Sequence, residues 1–280
     1  MSLSIQFLGT GTSVGVPQIG CTCQVCTSAD PRDKRRRTGA YVRTSRAAFL
    51  IDTPPEMRLA AIELGITKVD AVVMTHCHMD HIAAFDDVRR FNTLNGEKVP
   101  CKPTDPGANG REWRIIGRPM RCFAAAETIE SMRHVFPYIT PAENSQGLFR
   151  PMINFEAVDG PFKIADATLT PLPVEHGPRT NGYLVETDGA RLAYISDCAS
   201  IPETTLALMN DVDVLVLDCL RERFHPTHLN REGALNYVKR LRPRHTYLIH
   251  MCHEVMHADF EASLPQGVRL AYDGLEVAVG

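Results

Sequence analysis

Three histidines and an aspartate stand within six residues in His76-Cys77-His78-Met79-Asp80-His81. Neutral imidazoles and a carboxylate suit a borderline divalent ion such as zinc, or manganese where oxygen donors are more numerous. Without an ion the cluster would be hard to keep together, because histidines that charge near neutrality repel one another. The apolar run at 70–75 reads as a strand leading into the cluster. Side chains alternate along extended backbone, so His76 and His78 can point the same way, while Asp80 and His81 fall at the turn into the next helix.

Elements able to deliver further ligands lie downstream. Runs at 168–174, 183–186, 192–196, 212–218 and 246–250 read as strands, with helical patterns at 202–209 and 231–241 between them. The first half has the same texture, with strands at 47–52 and 71–75 and helices at 56–64 and 86–94. The near-continuous apolar character of 212–217 predicts a strand covered on both faces. Helices outside two packed sheets, an αββα sandwich of the α/β class, satisfy the whole pattern.

H-x-H-x-D-H after a strand resembles the signature of the metallo-β-lactamase superfamily, and the resemblance runs nearly the full length. It implies further ligands at later strand ends, where His176, Asp197 and His250 stand in the expected order. The implied arrangement puts one metal on His76, His78, His176 and Asp197. The second would sit on Asp80, His81, Asp197 and His250, with Asp197 bridging. Asp52, ending Phe49-Leu-Ile-Asp, resembles the superfamily's earlier aspartate, which supports the ligand histidines from behind.

Cys21, Cys23 and Cys26 form a second cluster, in a loop at 20–27. Three close thiolates supply most of a tetrahedral zinc site, although a Cys23–Cys26 redox pair is a competing chemistry, and the neighbouring residues do not reveal a fourth ligand. The opening Leu8-Gly-Thr-Gly-Thr-Ser-Val-Gly-Val-Pro followed by these cysteines is similar to the cyclic phosphodiesterase branch of the superfamily, from carbon–phosphorus bond breakdown. That similarity implies that His253 completes a structural zinc site, with Cys252 and His257 as local competitors.

Two cations can lower the pKa of a bridging water and neutralise a phosphodiester, so that the resulting hydroxide attacks phosphorus in line. The leaving oxygen needs a proton, and histidine is the natural donor near neutral pH. His225 and His228 both follow the strand at 212–218. His228 resembles the branch's general acid because it directly precedes a helix-opening segment. Asp80, as a ligand, and His228 are therefore the expected catalytic residues. A small cyclic phosphodiester such as 5-phosphoribosyl 1,2-cyclic phosphate is the implied substrate. RNA processing of the tRNA 3′-end type and thioester or lactam hydrolysis are the alternatives. Arg179 and Asn181 are candidate phosphate contacts, with solvated surface as the plainer expectation for each.

The segment 95–119, rich in glycine and proline and carrying Lys98, Lys102, Arg111, Trp113 and Arg114, reads as an inserted loop at the rim of the site, either a lid or a surface insertion. Otherwise the 280 residues read as one catalytic domain, 44% apolar and near neutral at a formal charge of −3, with no basic surplus to announce nucleic acid. No apolar stretch reaches the roughly 18 residues of a membrane span. The N-terminus reads as a strand and not as a secretory signal. A cytoplasmic protein is expected, with homodimerisation possible from relatives. The six scattered cysteines, Cys77, Cys101, Cys122, Cys198, Cys219 and Cys252, read as free thiols, several of them buried.

Overall fold

A computed structural model describes residues 3–139 and 150–280; Met1 and Ser2 of the expected N-terminal strand lie outside the described residues. Two seven-stranded sheets form the centre. The first runs, in spatial order, Glu276–Val279, Leu3–Gly9, Gly39–Thr44, Ala48–Ile51, Ala71–Val73, Met120–Ala124 and Ile153–Ala157. The second runs Val268–Leu270, His245–Ile249, Val214–Asp218, Ala190–Ile195, Thr180–Thr187, Ala167–Val174 and Phe162–Ile164. Each sheet is antiparallel along one part and parallel along the other. The parallel strands return through helices, as such connections require.

Three apolar clusters separate four layers. Phe7, Phe49, Val73 and Phe123 of the first sheet meet Tyr183, Val185, Tyr194 and Val216 of the second between the sheets. On its outer face the first sheet packs Leu50, Val72 and Cys122 against Met57 and Ala60 of the helix Met57–Glu63 and Met132 of the helix Ala126–Val135. The second sheet packs Leu215, Leu217 and Leu248 against Ala234 of the helix Arg231–Leu241 and Phe260 of the helix His257–Ala262. Every residue of Ala48–Ile51 and of Val214–Asp218 is buried, the continuous burial of strands covered on both faces. This is the αββα arrangement that the sequence predicts.

Backbone close approach fixes the glycines of the opening motif. A Cβ on Gly9 would stand 2.0 Å from the Arg37 carbonyl oxygen, and one on Gly11 would stand 2.8 Å from the Arg35 Cβ. Only glycine lets the loop after the first strand lie against residues 35–37.

The segment 95–119 departs from expectation. It is a two-stranded antiparallel hairpin, Glu97–Pro100 with Trp113–Ile116, in which Trp113 lies beneath the Lys98 ammonium at 4.2 Å and the Arg111 guanidinium at 4.9 Å. Its base is tied to the N-terminal ends of strands: Asn95 Nδ2 donates to the Val69 carbonyl, and Asn92 Nδ2 donates to Arg118 O at 2.8 Å. The histidine cluster follows the C-terminal end of Ala71–Val73, so the hairpin springs from the opposite end of the sheet and not from the rim of the site. The helix expected at 86–94 divides into a 3-10 turn, Phe85–Val88, and the helix Arg89–Leu94. Among the described residues no helix is long and apolar enough to cross a membrane.

Candidate metal centre

The strand Ala71–Val73 stops three residues before His76, so His76 and His78 sit on irregular backbone and not on strand alternation. A single helical turn, Met79–Ile82, follows with His78 as its N-cap and carries Asp80 and His81. His176 lies just beyond Ala167–Val174, Asp197 beyond Ala190–Ile195, and His250 beyond His245–Ile249. All these strand ends open on one side of the sandwich. Asp52 and His250 hold left-handed backbone, at φ 65° and 62°, a conformation that few non-glycine residues adopt.

The ligand atoms converge in two groups. One nitrogen each from His76, His78 and His176 forms the first, and atoms of Asp80, His81, Asp197 and His250 form the second, each group within 4.8 Å. Asp197 stands between them. Its Oδ1 is 3.2 Å from His81 Nε2, while its Oδ2 is 3.5 Å from His250 Nε2 and 3.9 Å from His176 Nε2.

Hydrogen bonds behind the cluster set which nitrogens face inward. His81 Nδ1 donates to Asp52 Oδ2 at 2.7 Å. Thr75 Oγ1 donates to the same oxygen at 2.8 Å and so accepts from His76 Nδ1 at 2.9 Å. His176 Nδ1 donates to the Thr227 carbonyl at 2.8 Å. Each of the three imidazoles thus turns Nε2 to the centre, where those of His76 and His176 approach His78 Nδ1 at 2.9 and 3.3 Å. One aspartate thereby orients a ligand of each group, His81 directly and His76 through Thr75.

The donor set fits divalent cations. His81 Nε2 and Asp197 Oδ1 are buried with no hydrogen-bond partner, though they face one another. Burial lowers the pKa of His76, His176 and His250, the last to about 3 despite Asp197, so these imidazoles are neutral with lone pairs free. Burial opposes a charge on His81 too, but Asp197 and then Asp52 outweigh it and hold its pKa well above the usual range. Lone pairs and carboxylates packed this closely need a positive charge among them, and a divalent ion supplies it without protons.

His228 borders both groups, 4.7 Å from the His176 ring and stacked 4.6 Å from that of His250. Its Nδ1 donates to Asp218 Oδ2 at 2.9 Å. Asp218, wholly buried, also accepts from the Cys198 backbone N–H at 2.9 Å. Burial pushes the Asp218 carboxyl up to about 6, against the pull of His228. Burial disfavours charge on His228, but Asp218 overcomes this and raises its pKa. The His225 ring lies 5.2 Å from that of His228, its Nδ1 accepting from the Thr227 backbone N–H.

Asp218, Thr75 and Thr227 join the site without standing among the residues expected from the sequence. An acid ending an apolar strand, as Asp197 also does, was a usable signal for Asp218; the two threonines gave none. Asn181 is a correction: it is 1% exposed, not solvated surface, and its N–H donates to Thr75 O at 3.1 Å. Arg179 is exposed as expected.

The thiols of Cys21, Cys23 and Cys26 gather around His253 Nδ1 at 3.2, 3.6 and 3.8 Å. Of the competitors, Cys252 and His257 stand outside this group. The N–H of Cys26, first among several contacts, draws the Cys23 thiol down to about 6, whereas burial pushes Cys26 up to about 11.

The sequence model of the beta-lactamase superfamily domain matches residues 48–251, and the chain belongs to that superfamily. This fold and donor set fit a metal-dependent hydrolase. A solved diphosphatase of the PhnP family shares 33% identity at a TM-score of 0.83, covering 99% of this chain and 97% of its own. Zinc-bound PqqB from Methylobacterium extorquens, at 18% identity and a TM-score of 0.74 over 98% and 99% of the two chains, shows the fold alone. Among curated relatives, an octanoyltransferase of Porphyromonas gingivalis is 31% identical over 97% of this chain. The match spans about half, 51%, of that relative's length. A ribonuclease Z of Mycobacterium bovis is 27% identical over 79% of this chain and 71% of its own.

Proposed function

We propose that the chain is a dinuclear phosphodiesterase for small cyclic phosphodiesters, with 5-phosphoribosyl 1,2-cyclic phosphate as the chemical type. The observation that carries this reading is the carboxylate-backed His228 set against two groups of donors with Asp197 between them. Divalent ions, zinc or manganese, held by His76, His78, His176 and Asp197 and by Asp80, His81, Asp197 and His250 would supply Lewis acidity and lower the pKa of water. Asp52 fixes the inward-facing nitrogens before substrate arrives, so little reorganisation accompanies binding. An alkoxide leaves phosphorus poorly unless protonated. Because His228 Nδ1 is committed to Asp218, Nε2 is the atom that delivers the proton, and the buried carboxylate keeps that imidazole charged until transfer. The thiol group with His253 is read as a structural zinc site, which ties the N-terminal loop to the strand bearing His250.

A diphosphate bond is the second reading, favoured by the PhnP-family diphosphatase. Both reactions displace an oxygen from phosphorus at one site. The deciding experiment assays protein stripped of metal and reloaded with zinc or manganese against cyclic ribose phosphates, bis(p-nitrophenyl) phosphate, nucleoside diphosphates, precursor tRNA and a thioester. Turnover of the cyclic diesters above the rest is expected. Cleavage of precursor tRNA or thioester alone would overturn the proposal.

A further inference from the structure

Arg35 is among the largest fully buried side chains, and its carboxylate partner Asp33, 3.2 Å away, is equally buried. Removing both charges from water is expensive, and a hydrophobic pair would often serve stability as well. The cost is raised further because Arg35 Nε has no partner. What the pair does have is position. Arg35 Nη1 donates to the Cys252 carbonyl at 3.3 Å and Nη2 to the Val255 carbonyl at 2.8 Å. Asp33 Oδ1 accepts the His257 N–H at 2.8 Å. These contacts bracket His253.

The same short segment grips the cysteine loop. Arg35 exchanges backbone hydrogen bonds with Val16 at 2.7 and 2.8 Å, Lys34 Nζ donates to Cys26 O at 3.0 Å, and Ser28 Oγ donates to Asp33 Oδ2 at 2.7 Å. Between the Cys252 carbonyl that Arg35 holds and the strand His245–Ile249 lie only His250 and Met251. Met251 is itself pinned by the opening loop, its N–H donating to Thr10 O at 3.0 Å and its carbonyl accepting from Thr12 N at 3.2 Å. His250 holds left-handed backbone at the head of this turn.

We propose that the buried Asp33–Arg35 pair is a positioning clamp that presents His250 to the active-site metals and His253 to the thiols. It works in parallel with the thiol site, each fastening holding part of the turn at 250–257, so that losing one loosens the turn and losing both frees it. A guanidinium suits the task because its fixed fork spans two carbonyls, which a lysine ammonium does not. The inference rests on reading His250 as a ligand, but not on the identity of the substrate.

The test compares wild type, Asp33→Asn/Arg35→Met, Cys23→Ser and the triple variant. Zinc affinity of the active site is read by chelator competition, and kcat and KM are read on bis(p-nitrophenyl) phosphate. The clamp variant is expected to bind active-site zinc about 10-fold more weakly, the range for groups that orient ligands, and to lose kcat with little change in KM. Combining it with Cys23→Ser should cost more than the product of the separate losses. A clamp variant that only unfolds at lower temperature, with zinc affinity and kcat intact, would overturn the proposal, as would a triple variant whose losses simply multiply. If the double variant does not fold, Arg35→Lys, which keeps the charge opposite Asp33 but loses the fork, takes the same measurements under the same criteria. Zinc competition uses no substrate, so a failed phosphodiesterase reading leaves this test standing.

Discussion

His228 and Asp52 act on the same centre by different means, and substitution should separate them. His228→Ala removes a proton donor that contributes about 10²–10⁴-fold in such steps, and it leaves the seven proposed ligands in place. Turnover should therefore fall by that order, with metal content by plasma emission unchanged; equal turnover would eliminate His228 as the acid. Asp52→Ala takes away the acceptor that orients His81 directly and His76 through Thr75. Metal affinity should fall about 10–100-fold, measured against a competing chelator, before any effect on chemistry is considered. Loss of turnover at full metal occupancy would assign Asp52 a different role.

Asp273 offers a residue whose effect is on stability. It accepts Thr10 Oγ1 at 2.9 Å and the Arg36 N–H at 2.7 Å, and burial pushes its pKa from the ordinary 3.8 up to about 6. The folded state thus binds a proton that the unfolded chain has already released. Stability should fall as pH rises through the window between these values, by up to about 1.4 kcal/mol for each unit of displacement. Urea unfolding at several pH values should show this slope in the wild type and a shallower one in Asp273→Asn. Parallel slopes would contradict the assignment.

At the scale of elements, the thiol loop and the hairpin make opposite predictions. Cys23→Ser should lower bound zinc by one ion per chain and reduce thermal stability, because the loop then loses a covalent-like tie to the turn at 250–257. Unchanged metal content would remove the structural zinc reading. Replacing residues 97–116 by a short turn should leave kcat and KM on a small diester unaltered, since the hairpin is rooted at the N-terminal strand ends. A large rise in KM would show that its tip reaches the site after all. The two elements also mark what a single sequence discloses. The strand at 212–218 is legible because burial on both faces leaves a nearly continuous apolar run, the one at 246–250 by its short apolar stretch, and the helix at 231–241 ends where its 3.6-residue pattern ends. The hairpin is not legible: its residues are largely exposed, so no burial pattern is imposed on them, and glycine and proline density signals only irregularity.

At the scale of the whole molecule, two similar halves place their ligand-bearing strand ends along one edge of the sandwich, so residues as distant as His76 and His250 share one centre. The candidate donors His76, His176, Asp197 and His250 are legible in the sequence because each closes an apolar run. The convergence could not, since it depends on how one sheet packs on the other. Tyr183 illustrates this: its hydroxyl donates across the core to Met74 O at 2.8 Å, next to the histidine cluster, and nothing in its local sequence signals that bond.

The central claim is that these strand ends hold two cations on which hydrolysis depends. It is tested most directly by titrating zinc or manganese into stripped protein, its thiol site left filled, while following cleavage of a cyclic phosphodiester. No turnover is expected before metal is added, followed by a rise that saturates at two equivalents per chain. Undiminished turnover by the stripped protein would contradict it.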